Sequence, residues 1–257
     1  MEDYSKYTSY LPSLALRPFV SEYWLGLYNP LTRYLALPDG SVDLVIEFND
    51  TDAKSQLYGT TTKPCNISIL PQKHYIGIRF HPGQSRHFIN LSSKELTDAN
   101  ESSEGILNFS LDGFTEQLPF EQIVLRLDSL LEDHLSHQQP EQGRIDDVIA
   151  IIKSSQGLVR IDEVATLYGK SRRQFERIFL DTVGVSPKFF SLITRFQNAS
   201  VLVAQLSNTT LANIATDAGY SDQSHMNHDF KRMTGVSPMQ FIREHDAFLQ
   251  YTQKIQR

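Results

Sequence analysis

Hydrophobic positions change their period about halfway along the chain, and this change divides it into two parts. In the first part, short runs alternate apolar and polar residues and are rich in β-branched side chains, which predicts strands. These runs are 34–37, 42–48, 67–70 and 75–80, and a short helix is expected at 85–91. From about residue 116 onward, apolar residues recur at the spacing of amphipathic helices.

A polar segment containing Pro140 and Gly143 separates the two parts. We therefore expect an α+β chain with a strand-rich, mixed domain at 1–138, a linker at 139–144 and an all-α domain at 145–257. The helix before the linker carries an apolar stripe made of Ile123, Leu127, Leu130, Leu131 and Leu135. By default this stripe packs onto the strands; a contact between two copies of the chain is the alternative.

The helical part repeats one pattern of apolar and polar positions. The first copy reads Val164-Ala165-x3-Gly169-x-Ser171-x3-Phe175-x3-Phe179-x4-Gly184-x-Ser186-Pro187, and the second reads Ile214-Ala215-x3-Gly219-x-Ser221-x4-Met226-x3-Phe230-x4-Gly235-x-Ser237-Pro238. The offset is 50 residues at Gly169 and Gly219 and 51 residues at Gly184 and Gly235. Each copy predicts a helix, a tight turn and a second helix, so we expect helix-turn-helix units at about 161–183 and 211–234, joined by a linker helix.

Each position of the pattern has a physical role. The small alanines allow two helices to cross closely, the glycines suit a turn with positive φ, and the aromatic residues anchor the second helix to a core. Ser171 and Gln174 can form a capping box, and Asp222 can cap the equivalent helix of the second copy. The structural positions are Ala165, Gly169, Phe175, Phe179, Ala215, Gly219, Phe230, Gly235 and Pro238.

The opposite faces of the two second helices carry polar groups that can read DNA bases. They display Arg172, Arg173, Glu176 and Arg177 in the first copy and Gln223, Ser224, His225, Asn227 and His228 in the second. Arginine pairs with guanine, glutamine and asparagine pair with adenine, and glutamate accepts from cytosine. A solvated face of an ordinary helix is the alternative for either copy alone, but two copies in register favour DNA. If the linker helix spaces them by about one helical turn of DNA, roughly 34 Å, both can enter the major groove on one side.

Composition and charge bound the class of protein. The net charge is −6, yet residues 156–257 hold 12 Lys+Arg against 9 Asp+Glu, which gives +3, and the remaining 12 against 21 give −9. The basic excess thus lies where the DNA-reading pattern lies. No apolar run is long enough to span a membrane, and the single cysteine, Cys65, cannot form an internal disulfide. We expect a cytoplasmic protein with no membrane partner.

The motif from Ile214 to Arg243 resembles the signature of the AraC/XylS family of bacterial transcription regulators, and the resemblance covers about 145–257. It implies base-reading roles for Arg173, Glu176, Arg177, Gln223, Ser224, His225 and His228, and phosphate contacts for Ser171, Arg172 and Lys231. His228 stands where arginine is frequent, and Arg160 stands where a helix cap is usual. In the first half, Leu37-Pro38-Asp39-Gly40-x2-Asp43-Leu44 and Gly77-Ile78-Arg79-Phe80-His81-Pro82-Gly83 resemble the amino-terminal domain of a less characterised subset of these regulators.

The resulting hypothesis is a sequence-specific transcription regulator, an activator that contacts RNA polymerase and is modulated through its first domain. A small-molecule effector, a protein partner and a homodimer are its possible further partners, and the effector-binding residues are unknown. The alternatives are a DNA-targeted enzyme with alkyl transfer at Cys65 and an adaptor that binds no DNA.

No cofactor or metal is expected. His74, His81 and His87 lack a ligand spacing, so they do not predict a metal site. Asp39 and Asp43 could suggest a catalytic pair, but Asp39-Gly40 is interpreted as a hairpin turn instead.

Overall fold

The computed structural model describes residues 7–26, 33–48, 53–68, 70, 73–111, 119–138, 143–205 and 209–243. The first half contains β1 (Tyr7–Tyr10), β2 (Val20–Gly26), β3 (Arg33–Ala36), β4 (Val42–Phe48), β5 (Ala53–Tyr58), β6 (Cys65–Ser68), β7 (His74–Phe80), a 3-10 helix (Gln84–His87) and β8 (Asn100–Ser102). The helices are α1 (Phe120–Gln138), α2 (Arg144–Ser154), α3 (Ile161–Tyr168), α4 (Arg172–Val183), α5 (Pro187–Ala204), α6 (Leu211–Asp217), α7 (Gln223–Thr234) and α8 (Pro238–Arg243).

The strands form an antiparallel sheet in the order β1-β2-β7-β4-β5-β8 and a separate pair, β3-β6. Alternate residues of β4 are buried, as the period-2 pattern predicts. Leu44 and Ile46 of β4 pack with Ile76 and Ile78 of β7 in the core of the sheet domain.

Helix α1 covers this core with its apolar stripe. Ile123, Leu127, Leu131 and Leu135 are buried in the same cluster as the strand residues. The stripe therefore packs onto the strand domain, as expected by default, and is not free to join a second copy of the chain.

Helix α5 lies at the centre of the helical half. Phe190, Ile193, Phe196, Ala199 and Val203 are buried along it and contact the helices of both copies of the repeat. Ser186 caps its first turn and Pro187 occupies the first helical position, which fixes where the helix begins. The predicted α+β class, strands followed by helices, is confirmed.

Several sequence-based predictions were wrong in detail. The Asp39-Gly40 turn is not a hairpin, because β3 pairs with β6 whereas β4 pairs with β5 and β7. The helix expected at 85–91 is only the single 3-10 turn Gln84–His87, and the strand expected at 67–70 is Cys65–Ser68. Strands β1, β2, β5 and β8 were missed. The central linker residues, 139–142, lie outside the described residues.

The Asp39-Gly40 turn instead joins the two sheets. Its aspartate belongs to a network of ion pairs around Arg79. Asp39 accepts a hydrogen bond from the Ser41 N–H at 2.9 Å and pairs with Arg79. Arg79 also pairs with Asp43 at 3.0 Å, and Asp43 accepts from the Trp24 indole at 3.0 Å. Because Arg79 engages the carboxylates of both Asp39 and Asp43, these two aspartates have a structural role in this fold.

The sheet domain docks against the end of α4 and the start of α5. Leu37 belongs to the helical core, and Gly40 lies so close to Phe190 that an added Cβ would stand 2.8 Å from its ring. Further along, the Ser93 N–H donates to the Asp181 carbonyl at 3.1 Å, and the Thr97 hydroxyl donates to the Gly184 carbonyl at 2.5 Å. The two halves therefore touch through packed side chains and through backbone groups.

Candidate nucleic-acid interface

The first helix-turn-helix unit consists of α3 and α4. Gly169 ends α3 in the left-handed region at φ 76°, which lets the chain turn at once into α4. Ser171 and Gln174 form the capping box that the sequence predicts. Phe175 and Phe179 are fully buried beneath α4, so its orientation is fixed by packing.

On the outer face of α4, one arginine forms ion pairs with described residues and two others do not. Arg173 and Arg177 are exposed and form no ion pair with a described residue. Arg172 binds Asp162 at 2.8 Å and Glu176 at 3.0 Å, and its pKa is raised, first by the hydrogen bond to Glu176 and then by the charge of Asp162. Exposed pairs of this kind are weak, so phosphate or bases can replace them.

The second unit consists of α6 and α7. Thr210 caps α6, and Gly219 follows it at φ 75°. Asp222 accepts from the His225 N–H at 2.8 Å, and this hydrogen bond is the main reason that the pKa of the carboxyl is lowered. Met226 and Phe230 are fully buried beneath α7. The predicted cap and anchors are thus present in both copies.

The outer face of α7 is made of polar side chains. Gln223, Ser224 and His228 are exposed, and Lys231 is exposed one turn before the helix ends. His225 is only half-exposed: its Nδ1 lies 3.2 Å from the Ser221 hydroxyl, and its ring meets Tyr220 edge-on. The base and phosphate roles of all these residues remain predictions; the structure brings each set to one helix face.

An ion pair that the sequence reading missed holds α7 to α5. Arg195 donates from Nη2 to Asp229 Oδ2 at 3.1 Å, and its guanidinium lies 4.5 Å from the centre of the Tyr220 ring. Asp229 is 5% exposed. Burial raises the pKa of the Tyr220 hydroxyl, and the charge of Asp229 adds to this. The signal available in the sequence was Asp229, a charged residue on the otherwise apolar side of α7.

Asn227 also differs from its interpretation as an outward-facing reader. It is half-buried, and its Oδ1 is enclosed without a hydrogen-bond partner among the described residues. It belongs to the flank of α7 that turns toward the protein.

The residues considered for other chemistry contact ordinary neighbours. Cys65 is exposed on β6, opposite Ala36. The His81 Nε2 lies 3.1 Å from the Arg17 carbonyl, and the His87 ring packs edge-on against Phe19. Within the described ranges, no three His, Cys, Asp or Glu side chains converge as metal ligands, and no helix is long and apolar enough to cross a membrane.

Comparisons with known proteins agree with the helical geometry. Residues 164–244 match the family model described as a helix-turn-helix domain, and residues 8–102 match one described as a domain of unknown function (DUF6597). The C-terminal part of the chain thus matches a helix-turn-helix domain, in agreement with the resemblance stated for that part of the sequence.

Two curated relatives are transcription regulators by name. An uncharacterized HTH-type transcriptional regulator of Haemophilus influenzae is 36% identical over 94 residues, which is 37% of this chain and 31% of that protein. The HTH-type transcriptional regulator MtrA of Neisseria gonorrhoeae is 32% identical over 84 residues, 33% of this chain and 28% of that protein. The chain therefore spans about a third of the length of the curated relatives it matches. Among solved structures, ToxT from Vibrio cholerae is 10% identical with a TM-score of 0.47, covering 86% of this chain and 98% of that one.

Proposed function

We propose that this chain is a sequence-specific transcription regulator that reads two successive major-groove segments with α4 and α7. One observation carries the proposal. Both helices bury an aromatic anchor against a core and turn an exposed polar face outward, and α5 holds the two units in one body. A pair of such helices suits two groove segments on one side of a duplex.

The two reading faces differ, so one monomer recognises an asymmetric site. The face of α4 offers Arg173 and Arg177, which favour guanine, whereas the face of α7 offers Gln223, which favours adenine. The two parts of the site should lie about 10 base pairs apart. Activation through RNA polymerase, modulation by an effector at the sheet domain, and action in the bacterial cytoplasm complete the proposed function.

Selection of DNA by the purified full chain tests this function. Fragments bound from a random duplex library should share two conserved blocks of different sequence. On such a site, log affinity should fall linearly with log salt, because phosphate contacts release counterions. A salt-independent interaction, or no enriched sequence at low ionic strength, would contradict the proposal and favour the adaptor.

Three substitutions then assign the reading residues. Arg177→Ala and Gln223→Ala should each cost about 1–3 kcal/mol of binding and relax preference at one position, in different blocks. Lys231→Ala should instead weaken binding to all sequences alike and reduce the salt slope by about 1. Lys54→Ala removes an exposed lysine from β5 and serves as the control for general charge.

The enzyme alternative is tested at the exposed Cys65. Under the proposed function, Cys65→Ser leaves DNA selection and reporter activation unchanged, because β6 needs no thiol to pair with β3. Under alkyl transfer, the same change abolishes activity. The similarity of the helical half to transcription regulators favours the first outcome.

A further inference from the structure

The loop between α2 and α3 contains two consecutive residues in the left-handed region and lies directly on α5. Gln156 has φ 53° and Gly157 has φ 76°. A Cβ at Gly157 would stand 2.1 Å from the Ser191 carbonyl oxygen and 3.0 Å from the Arg195 nitrogen, both in the backbone of α5, so only glycine fits there. Asn198 of α5 also holds the loop, because its amide donates to the Gln156 side-chain carbonyl at 3.1 Å.

The next residue of this loop, Leu158, reaches the second helix-turn-helix unit. Its side chain fills the space beside Gly219 in the turn between α6 and α7, so that a Cβ on that glycine would stand 2.4 Å from Leu158 Cδ2. Leu158 is 50% exposed, so its contact with Gly219 lies at the surface and not in the core. The segment that leads into α3 thus touches the turn that leads into α7.

The same turn also contacts α5. Arg195, whose backbone meets Gly157, lies 4.5 Å from the centre of the Tyr220 ring and pairs with Asp229 of α7 at 3.1 Å. Tyr220 directly follows Gly219. The loop, α5 and the second unit therefore meet at one junction, which consists of Gly157, Leu158, Arg195, Gly219 and Tyr220. Two separate contacts on neighbouring residues of one turn restrict its rotation more than packing along a single helix does.

We propose that Leu158 is a positioning residue for α7. By filling the space beside Gly219, it fixes the rotation of the second unit relative to the first. It thereby sets the spacing between the two DNA blocks that the chain accepts, and it acts through the turn rather than through a base. The spacing rests on the proposed function, whereas the fixed rotation does not depend on DNA.

Sites with altered spacing test the DNA part of the proposal. The two blocks selected by the full chain are placed at the selected spacing and at one base pair less or more, which turns one block by roughly 34° about the duplex. The wild-type chain should bind the altered sites about tenfold more weakly, because both units cannot engage at once. Leu158→Ala should reduce this preference to about threefold or less, since the second unit can then rotate to follow the block. A ratio of affinities is measured, so any loss of folded protein cancels.

Two further variants separate positioning from general packing. Leu158→Met keeps the volume of the side chain and should preserve the spacing preference. Leu125→Ala makes the leucine-to-alanine change in α1, at a side chain that is 65% exposed, and should preserve it as well. A preference that Leu158→Ala leaves unchanged, or that Leu125→Ala reduces equally, would overturn the proposal.

Spin labels measure the rotation without DNA. In the full chain carrying Cys65→Ser, labels at Thr166→Cys and Thr216→Cys occupy exposed, equivalent positions of α3 and α6. Pulsed electron paramagnetic resonance should give one narrow distance distribution when Leu158 is present and a wider or displaced one with Leu158→Ala. A broad distribution with Leu158 present, or no change with Leu158→Ala, would contradict the fixed rotation. A chain that selects no DNA but shows the change would refute the proposed regulator and leave the fixed rotation standing.

Discussion

The first helix-turn-helix unit is held from two sides, whereas the second is held from one. The sheet domain contacts the first unit at Asp181 and Gly184 at the end of α4, and α5 supports it from within the helical core. No described residue of α6 or α7 makes a hydrogen bond or ion pair with the sheet domain; α7 is fixed to α5 through Arg195 and Asp229. A ligand or partner acting on the sheet domain can therefore reach α4 directly and α7 only through other parts of the helical half.

The largest expected effect on stability comes from the glycines that end α4 and α7. Gly184 and Gly235 occupy the same position of the repeat, at φ 89° and 81°. A Cβ at Gly184 would stand 2.8 Å from the Ser93 carbonyl oxygen and 2.7 Å from Thr60 Cγ2, whereas a Cβ at Gly235 meets nothing within 4 Å. Gly184→Ala should cost about 3 kcal/mol or more of unfolding free energy and Gly235→Ala about 1 kcal/mol, since only the first adds a clash to the strained φ.

Urea unfolding of both variants measures this difference. Because the backbone strain is common to both positions, the excess at Gly184 reports the docking of the first unit onto the sheet domain. Equal losses would show that the docking contributes nothing to stability, and the comparison between the units would then fail.

The next effect concerns the ion pair that holds the second unit. Asp229→Ala leaves Arg195, 20% exposed at its side chain, without its carboxylate, and should cost about 2–3 kcal/mol of unfolding free energy. Footprinting should show protection lost over the part of the site read by α7 before the part read by α4. The corresponding change at the domain interface, Asp146→Ala, breaks a more exposed pair and should affect the α4 part instead. Loss of both parts together in both variants would show that the units do not act separately.

Acid should destabilise the folded chain through His81 of the sheet domain. The pKa of His81 is lowered to about 4 in the folded chain from the ordinary value of 6.5, so the folded state excludes a proton that the unfolded chain binds. The associated stability is complete above pH 6.5 and is lost as the pH falls toward 4, by about 1–2 kcal/mol at pH 5. Stability of the wild-type chain and of His81→Gln, measured from pH 7 to pH 5, should converge on acidification. Parallel curves would exclude this histidine as the cause.

The smallest effects should be alike in both units. Ser171→Ala and Asp222→Ala each remove a side-chain cap from a reading helix and should each cost about 1 kcal/mol. Helix content and unfolding free energy measure them. A much larger loss of unfolding free energy for Ser171→Ala would mean that the first unit depends on its cap more than the second unit does.

The helical half could be predicted almost residue by residue because its signals are local. Capping residues, turn glycines and buried aromatics lie within a few positions of the elements that they define, as Ser171 and Gly169 illustrate. The strand half depends on distant pairings. The residues near Asp39 and Gly40 do not indicate that β3 pairs with β6 instead of β4. They also do not indicate that the turn packs against Phe190 of α5.

The candidate site was predictable to the same degree. The exposed polar faces follow from helical period alone, but the Arg195–Asp229 pair could not be predicted because its two residues are far apart in sequence. Asn227 shows the limit of period-based reasoning, since its flank of α7 is turned partly inward by the packing of Phe230.

Leu37 lies in the sheet domain by sequence but in the helical core by packing, and this bears on how the protein can be cut or recombined. A fragment that starts at the linker would leave Phe190 bare where the segment around Leu37 and Gly40 covers it in the intact chain. Hybrid chains built by exchanging the strand-rich halves at that boundary should aggregate. Exchanges that carry 35–40 along with the helices should stay monodisperse.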